Sequence, residues 1–154
     1  MSLQIQKEGE RVYRILIINP GSTSTKIAVY ENETELFSEN AVHSQEALQA
    51  CGNNLVLQMP LRMKVMREVL EDNGIEPETL SAVVGRGGMI PGLKTGGYFA
   101  DEALCGVVRE GALIPHASNL GALMAAETAE PLNILAYIYD AVSAADLPEL
   151  ATIT

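Results

Sequence analysis

An apolar, β-branched run from Val12 to Ile18 leads straight into Asn19-Pro20-Gly21-Ser22-Thr23-Ser24-Thr25-Lys26 and resumes as Ile27-Ala28-Val29-Tyr30. No other stretch limits the fold as tightly. Side chains branched at Cβ at this density suit a buried strand, and Asn-Pro-Gly ends it in a turn. A second strand over Thr25–Tyr30 then returns with Ile27 and Val29 on one face, because side chains alternate across a strand. Glu31-Asn32-Glu33 makes a polar turn, and Glu35–Val42 reads as a third strand. The opening unit is therefore an antiparallel meander.

Helical spacing comes next. Pro60 suits a first helical turn, Met63, Met66, Val69 and Leu70 recur on one face, and Asn73-Gly74 ends the helix. The two methionines read as core packing, and Glu68, Glu71 and Asp72 as the solvated face. Ser81–Val84 is a short buried strand entered through Glu76-Pro77, and Gly85–Gly97 a glycine-rich loop. Asp101 caps a helix through Arg109 whose apolar face is Leu104, Val107 and Val108. Ser118 or Asn119 caps another through Ala129, and Ile134–Tyr139 is a buried strand. Strands alternating with helices after an antiparallel start predict an α/β domain: a mixed sheet with helices packed on it. Residues 1–12 read as a frayed leader or tag remnant, and 13–154 as one domain. Ala151-Thr152-Ile153-Thr154 resembles the start of a further strand, as if the chain were cut before a second domain.

The 154 residues carry 20 acids and 10 bases, a net charge of −10. That balance argues against nucleic acid, whose binders need an excess of Lys and Arg. No apolar run of ~18 residues predicts a membrane span, and the start has no secretory pattern. Cys51 and Cys105 form no CxxC pair, so neither a disulfide framework nor a zinc site is implied, and a reducing cytoplasm is the default. Magnesium stays open, since its ligands are oxygens.

The acids also avoid particular stretches. Between Asn19 and Tyr30 the only charged side chain is Lys26; from Arg86 to Tyr98 there are Arg86 and Lys94; from Gly111 to Ala126 there is none, only His116. Glycine-rich turns are often poor in charge, but three such loops in an acidic chain point to convergence on an anion. In the first loop, Gly21 lets the backbone approach a phosphate, and Ser22, Thr23 and Ser24 are neutral donors. Lys26 adds a point charge, and Asn19 offers a carbonyl oxygen to a hydrated magnesium ion. Gly87–Gly92 with Leu93-Lys94-Thr95 almost spells a P-loop, but Leu93 breaks the spacing and Thr95-Gly96-Gly97 cannot open a helix.

Ile15-Leu16-Ile17-Ile18-Asn19-Pro20-Gly21-Ser22-Thr23-Ser24-Thr25-Lys26 closely resembles the amino-terminal signature of the acetate and butyrate kinases. Val83-Val84-Gly85-Arg86-Gly87-Gly88 and His116-Ala117-Ser118-Asn119-Leu120-Gly121 resemble the butyrate branch, and Tyr137-Ile138-Tyr139-Asp140 is similar to the strand ending in that family's active-site Asp. The resemblance runs from about Tyr13 to the end of the chain. It implies a ribonuclease H-like, actin-like ATPase domain, the amino-terminal half of a kinase whose carboxyl-terminal domain is missing here. It implies ATP/ADP and Mg2+ as cofactors, and a short-chain fatty acid such as butyrate, or its acyl phosphate, as partner. A homodimer of the full-length enzyme stays open.

By the same resemblance, Asn19 helps bind magnesium and Gly21, Ser22, Thr23, Ser24 and Lys26 attend the nucleotide phosphates. Arg86 holds the acid's carboxylate, Asp140 is the catalytic acid near the metal, and His116 lines the active site. Chemistry adds that an Arg fork suits a carboxylate, with glycines on both sides of Arg86 clearing space for it. Alternatives remain for each group: Arg86 as a surface ion-pair partner, His116 as a cap, Asp140 as a turn residue. Acetate or propionate kinase shares the first signature, and a non-catalytic phosphate- or acyl-binding module is a different class of reading.

Overall fold

The computed structural model describes residues 11–144 apart from 53 and 112. Residues 1–10 of the expected leader 1–12, and Ala151–Thr154 with the expected extra strand, lie outside the described residues. Six strands form one sheet: β1 Arg14–Pro20, β2 Ser24–Glu31, β3 Thr34–Val42, β4 Ala82–Arg86, β5 Gly97–Phe99 and β6 Leu135–Tyr139. Their order is β3-β2-β1-β4-β6-β5. β1, β4 and β6 run parallel, while β2, β3 and β5 are antiparallel to their neighbours. The sheet is therefore mixed, with the meander at one side, as the sequence predicts.

Strand alternation divides the sheet into two unlike faces. Leu16, Ile18, Ile27, Val29, Val83 and Ile138 are fully buried on one. Helices α2 Met59–Asp72 and α4 Leu120–Ala129 pack there, and α3 Glu102–Arg109 lies against α4, where the Cys105 thiol reaches the Ala122 carbonyl. α4 is buried nearly all round, the mark of a helix enclosed by a core. On the opposite face the ladder sets Ala28, Ile17, Val84, Tyr137 and Phe99 side by side. Tyr137 and Phe99 stack there at 5.0 Å.

Several local expectations shift. The hairpin turn falls at Ser22-Thr23, not at Asn19-Pro20-Gly21: Asn19 and Pro20 stay in the ladder opposite Lys26 and Thr25, and Gly21 N–H donates to the Ser24 carbonyl at 2.7 Å. Sequence pattern predicts neither α1 Gln45–Ala50 nor the short β5; α1 buries no residue and so has no apolar period to read. In α3, Cys105 and Val108 face inward while Val107 is exposed. Asp101 caps α3 as expected, accepting from Leu104 N–H at 2.9 Å. Asn119 stands at the N-cap position of α4, but its side chain makes no capping bond there. Its amide is engaged in tying loops together, and His116 caps the 3-10 turn Ala117–Asn119 that feeds the helix. Gly97 opens a strand rather than a helix, which removes the P-loop reading.

Candidate active site

The parallel strands end at a common edge of the sheet, which gathers their carboxyl-terminal residues. β1 ends at Asn19-Pro20, β4 at Arg86, and Asp140 comes directly after β6. From β1 the chain turns outward to β2 on one side, while β4 lies on the other, so the order reverses between β1 and β4. A crevice at the carboxyl ends of strands about such a reversal is where open α/β sheets bind ligands. Here a cavity of about 360 Å³ is bordered by Ile17, Asn19, Val84, Arg86, Tyr139 and Asp140, among others. Three of the side chains singled out from sequence thus share one wall. Lys26 projects on the same sheet face as its ladder partner Asn19 and is exposed.

Arg86 and Asp140 form a loose ion pair, 3.9 Å from guanidinium to carboxylate, with side chains 44% and 64% exposed. Asp140 sits at φ 54°, the left-handed region that Asp enters more readily than most residues. The turn-residue reading describes this backbone, and the same turn leaves the carboxylate beside Arg86. The glycines beside Arg86 correct the expectation that they clear room for a ligand. A Cβ at Gly85 would stand 2.1 Å from the Gly121 carbonyl oxygen, and one at Gly87 2.6 Å from Ala141 Cα. Their space is filled by protein backbone. They let α4 and the segment after β6 close on β4, which fixes the base of Arg86 rather than its head.

Two of the charge-poor loops meet. The turn Ala117–Asn119 packs against β1, and the Asn119 amide links its own loop to the one after β4, accepting from Met89 N–H at 2.7 Å and donating to the Ile114 carbonyl at 2.9 Å. His116 is held locally. Its Nδ1 lies 2.6 Å from Ser118 Oγ and accepts from Ser118 N–H at 3.3 Å, so in the neutral ring the hydrogen sits on Nε2. Its hydrogen bonds run to Ser118, and it is absent from the border of the Asn19–Arg86–Asp140 cavity. A larger cavity of about 580 Å³ opens at the other end of β6, but Asp101, Glu102, Glu127 and Glu130 on its rim repel an anion.

Beneath the Gly21–Ser24 loop lies a group that no sequence motif singles out. Arg62 is fully buried on α2. It donates to the carbonyls of Gly21 (2.8 Å) and Ser24 (3.1 Å), to Thr25 Oγ1 (2.8 Å), and twice to Gln58 Oε1 (3.1 and 2.9 Å). Thr25 Oγ1 also meets His43 Nε2 at 2.8 Å. Burial pushes Arg62 below the ordinary guanidinium value, and burial together with the Arg62 charge pushes His43 below the ordinary imidazole value. One signal could have found it: Arg62 interrupts the apolar stripe of Met59, Met63, Met66, Val69 and Leu70.

Asn19 and Asp140 supply hard oxygen donors on one wall, which fits a magnesium ion that keeps most of its waters. No helix among the described residues is long and apolar enough to cross a membrane.

No family model matches the chain. Curated relatives do. A probable butyrate kinase of Clostridium botulinum is 41% identical over 142 residues, 92% of this chain and 40% of the relative. Butyrate kinase 1 of Clostridium acetobutylicum is 40% identical over 143 residues, 93% of this chain and 40% of its own length. Among solved structures, the acetate kinase of Porphyromonas gingivalis superposes with a TM-score of 0.51 at 15% identity, covering 82% of this chain and 37% of that enzyme. The chain spans about 40% of the length of the relatives it matches. Along nearly all of its own length the chain is similar to the butyrate kinases, and its fold is similar to that of the acetate kinase.

Proposed function

We propose that this chain is the part of a carboxylate kinase that carries the first phosphate loop and the acid-binding arginine, in an enzyme converting ATP and butyrate to ADP and butyryl phosphate, and the reverse. The observation that carries this reading is the shared wall of Asn19, Arg86 and Asp140 at the carboxyl ends of β1, β4 and β6, in a chain similar to butyrate kinases. The remainder of the machinery, a second domain closing over the nucleotide, belongs to the same reading, as do a cytoplasmic setting and the cofactors ATP/ADP and Mg2+.

In this scheme Arg86 exchanges its loose contact with Asp140 for the carboxylate of the acid, which its planar fork matches. Such an acid, with a pKa of about 4, is already ionised at neutral pH, so no strong base is required. A carboxylate oxygen forms the new bond to the γ-phosphorus while the bond to the ADP oxygen breaks. Catalysis of that transfer consists mainly of alignment and charge neutralisation. Lys26 and the Ser22–Thr23 turn attend the transferred phosphoryl group. Asn19 and Asp140 would hold magnesium, which when bound screens the phosphate charge. Asp140 thereby organises rather than abstracts a proton, and His116, which lies off the border of this cavity, acts only through the Ala117–Asn119 turn that it caps.

The test uses the longer protein that contains this segment. ATP and acids of increasing chain length are supplied, and the acyl phosphate is trapped with hydroxylamine. Butyrate should outperform acetate and propionate, and R86Q should raise KM for the acid far more than KM for ATP. No acyl phosphate from any of these acids would end the proposal, and a preference for acetate would move it to the acetate branch. The 154-residue chain alone should show little or no turnover.

A further inference from the structure

We infer that Arg62 is a positioning residue for an oxyanion seat at the Gly21–Ser24 loop, and that the bound oxyanion is its missing counter-charge. The inference rests on the proposed reading only in taking that loop as the place where a phosphate oxygen sits.

A guanidinium has five N–H donors, and here all five are used, on Gly21, Ser24, Thr25 and twice on Gln58. Every acceptor is neutral. Among the described residues the ion pairs are Arg14–Glu31, Lys64–Glu68, Arg86–Asp140 and Arg109–Glu102, so no carboxylate meets Arg62. Buried charges are normally paired, because removing an ion from water is costly. In a chain of net charge −10, a fully buried cation facing only dipoles is an arrangement with a negative group left to be supplied from elsewhere.

The geometry says from where. Arg62 pulls the carbonyls of Gly21 and Ser24 inward, toward α2. The Gly21 N–H is occupied by the Ser24 carbonyl, so the loop's outward donors are those of the exposed turn between them. Ser22 and Thr23 are exposed, and among the described residues no hydrogen bond takes their N–H groups. An anion there is separated from the guanidinium by one layer of peptide, whose carbonyls point at the cation. A second buried group shows the same layer is built as a unit. His43, 5% exposed, is anchored to Thr25 through Nε2 while its Nδ1 has no partner. Its main-chain N–H donates to the Thr23 carbonyl at 2.9 Å. The clamp thus holds the loop from Gly21 to Thr25 by its oxygens and leaves the amides of Ser22 and Thr23 free.

The probe is inorganic phosphate, titrated into the 154-residue chain and its R62K and R62Q variants, with amide resonances of Ser22 and Thr23 followed by NMR. R62K keeps the charge and loses most of the fork; R62Q keeps a donor and loses the charge. If charge governs the seat, R62K binds within about threefold of the unaltered chain and R62Q about tenfold or more weakly. Equal binding by R62Q and R62K overturns the role of Arg62 while the anion seat stands. Failure of Ser22 and Thr23 to respond in the unaltered chain removes the seat itself, and the inference with it. Should either variant not fold, the Nε–H resonance of Arg62 in the unaltered chain decides: movement along the same saturation curve as Ser22 supports the proposal, and a fixed resonance overturns it.

Discussion

Two arginines flank the end of β1, and they are built in opposite ways. Arg62, on the hairpin side, is sealed under the loop with every donor engaged and no anion beside it. Arg86, on the β4–β6 side, is half-exposed and touches Asp140 only at 3.9 Å. The first is held by the protein before any ligand arrives; the second is free to change partners. On the proposed reading, preorganisation falls where a phosphate is aligned, and freedom where a substrate enters and leaves. On the Arg86 side the rigidity lies in the backbone instead, where glycines let β4, α4 and the segment after β6 touch.

That division can be broken most severely at Gly85. A Cβ there would overlap the Gly121 carbonyl at 2.1 Å, and neither backbone can move without separating α4 from β4. G85A should cost more than about 3 kcal/mol of stability, read from urea unfolding of the chain. Tolerance of alanine would mean that the Arg86 side is not rigid at its base. R62M comes next. It leaves the carbonyl of Gly21 and the side chains of Thr25 and Gln58 without their buried donor, a loss of about 2–4 kcal/mol in the same measurement. An unchanged midpoint would show that the clamp does not hold the hairpin.

His43 sharpens the contrast through pH. Burial, aided by the charge of Arg62, keeps its imidazole below the ordinary value of 6.5 in the folded chain. Well above that value both folded and unfolded chains carry a neutral ring, and His43 contributes no pH dependence. As pH falls through 6.5 the unfolded chain takes up the proton and the folded chain does not, so stability declines until the lower folded value is passed. Unfolding midpoints between about pH 7.5 and about pH 5.5 should therefore fall more in the unaltered chain than in H43Q. Equal slopes would place His43 in contact with water.

How much of this is legible in the sequence depends on whether a feature leaves a local period. The meander, α2 with its methionine face, and the Asp101 cap are written in alternation, in spacing at i and i+3 or i+4, and in one capping residue. β5 is not: Gly97-Tyr98-Phe99 comes after a glycine and becomes a strand only because Tyr137 and Tyr139 are there to pair with. Pro-Gly reads as a stop and so places the turn too early, yet Pro20 sits at a strand end where no N–H is needed. Among the candidate site residues, Asn19, Arg86 and Asp140 are visible as charge or motif at strand ends, and Lys26 as the lone charge early in β2. The clamp is hidden because its meaning is tertiary: Arg62 lies 41 residues from Gly21, and only the break in an apolar stripe marks it. The glycines around Arg86 are visible but misleading, since spacing alone cannot tell room for a ligand from room for a backbone.

The smallest expected effect tests the other half of the comparison. If the Arg86–Asp140 contact is a resting arrangement rather than a structural tie, neither R86Q nor D140N should move the unfolding midpoint by more than about 0.5 kcal/mol equivalent, as for other exposed ion pairs. The two changes should also be nearly additive, because a pair at 3.9 Å between half-solvated side chains has little coupling to lose. A double-mutant cycle on the chain measures this directly. Coupling well above 1 kcal/mol would make Asp140 a structural anchor for Arg86, and a guanidinium anchored in that way could not trade its carboxylate for that of an incoming acid.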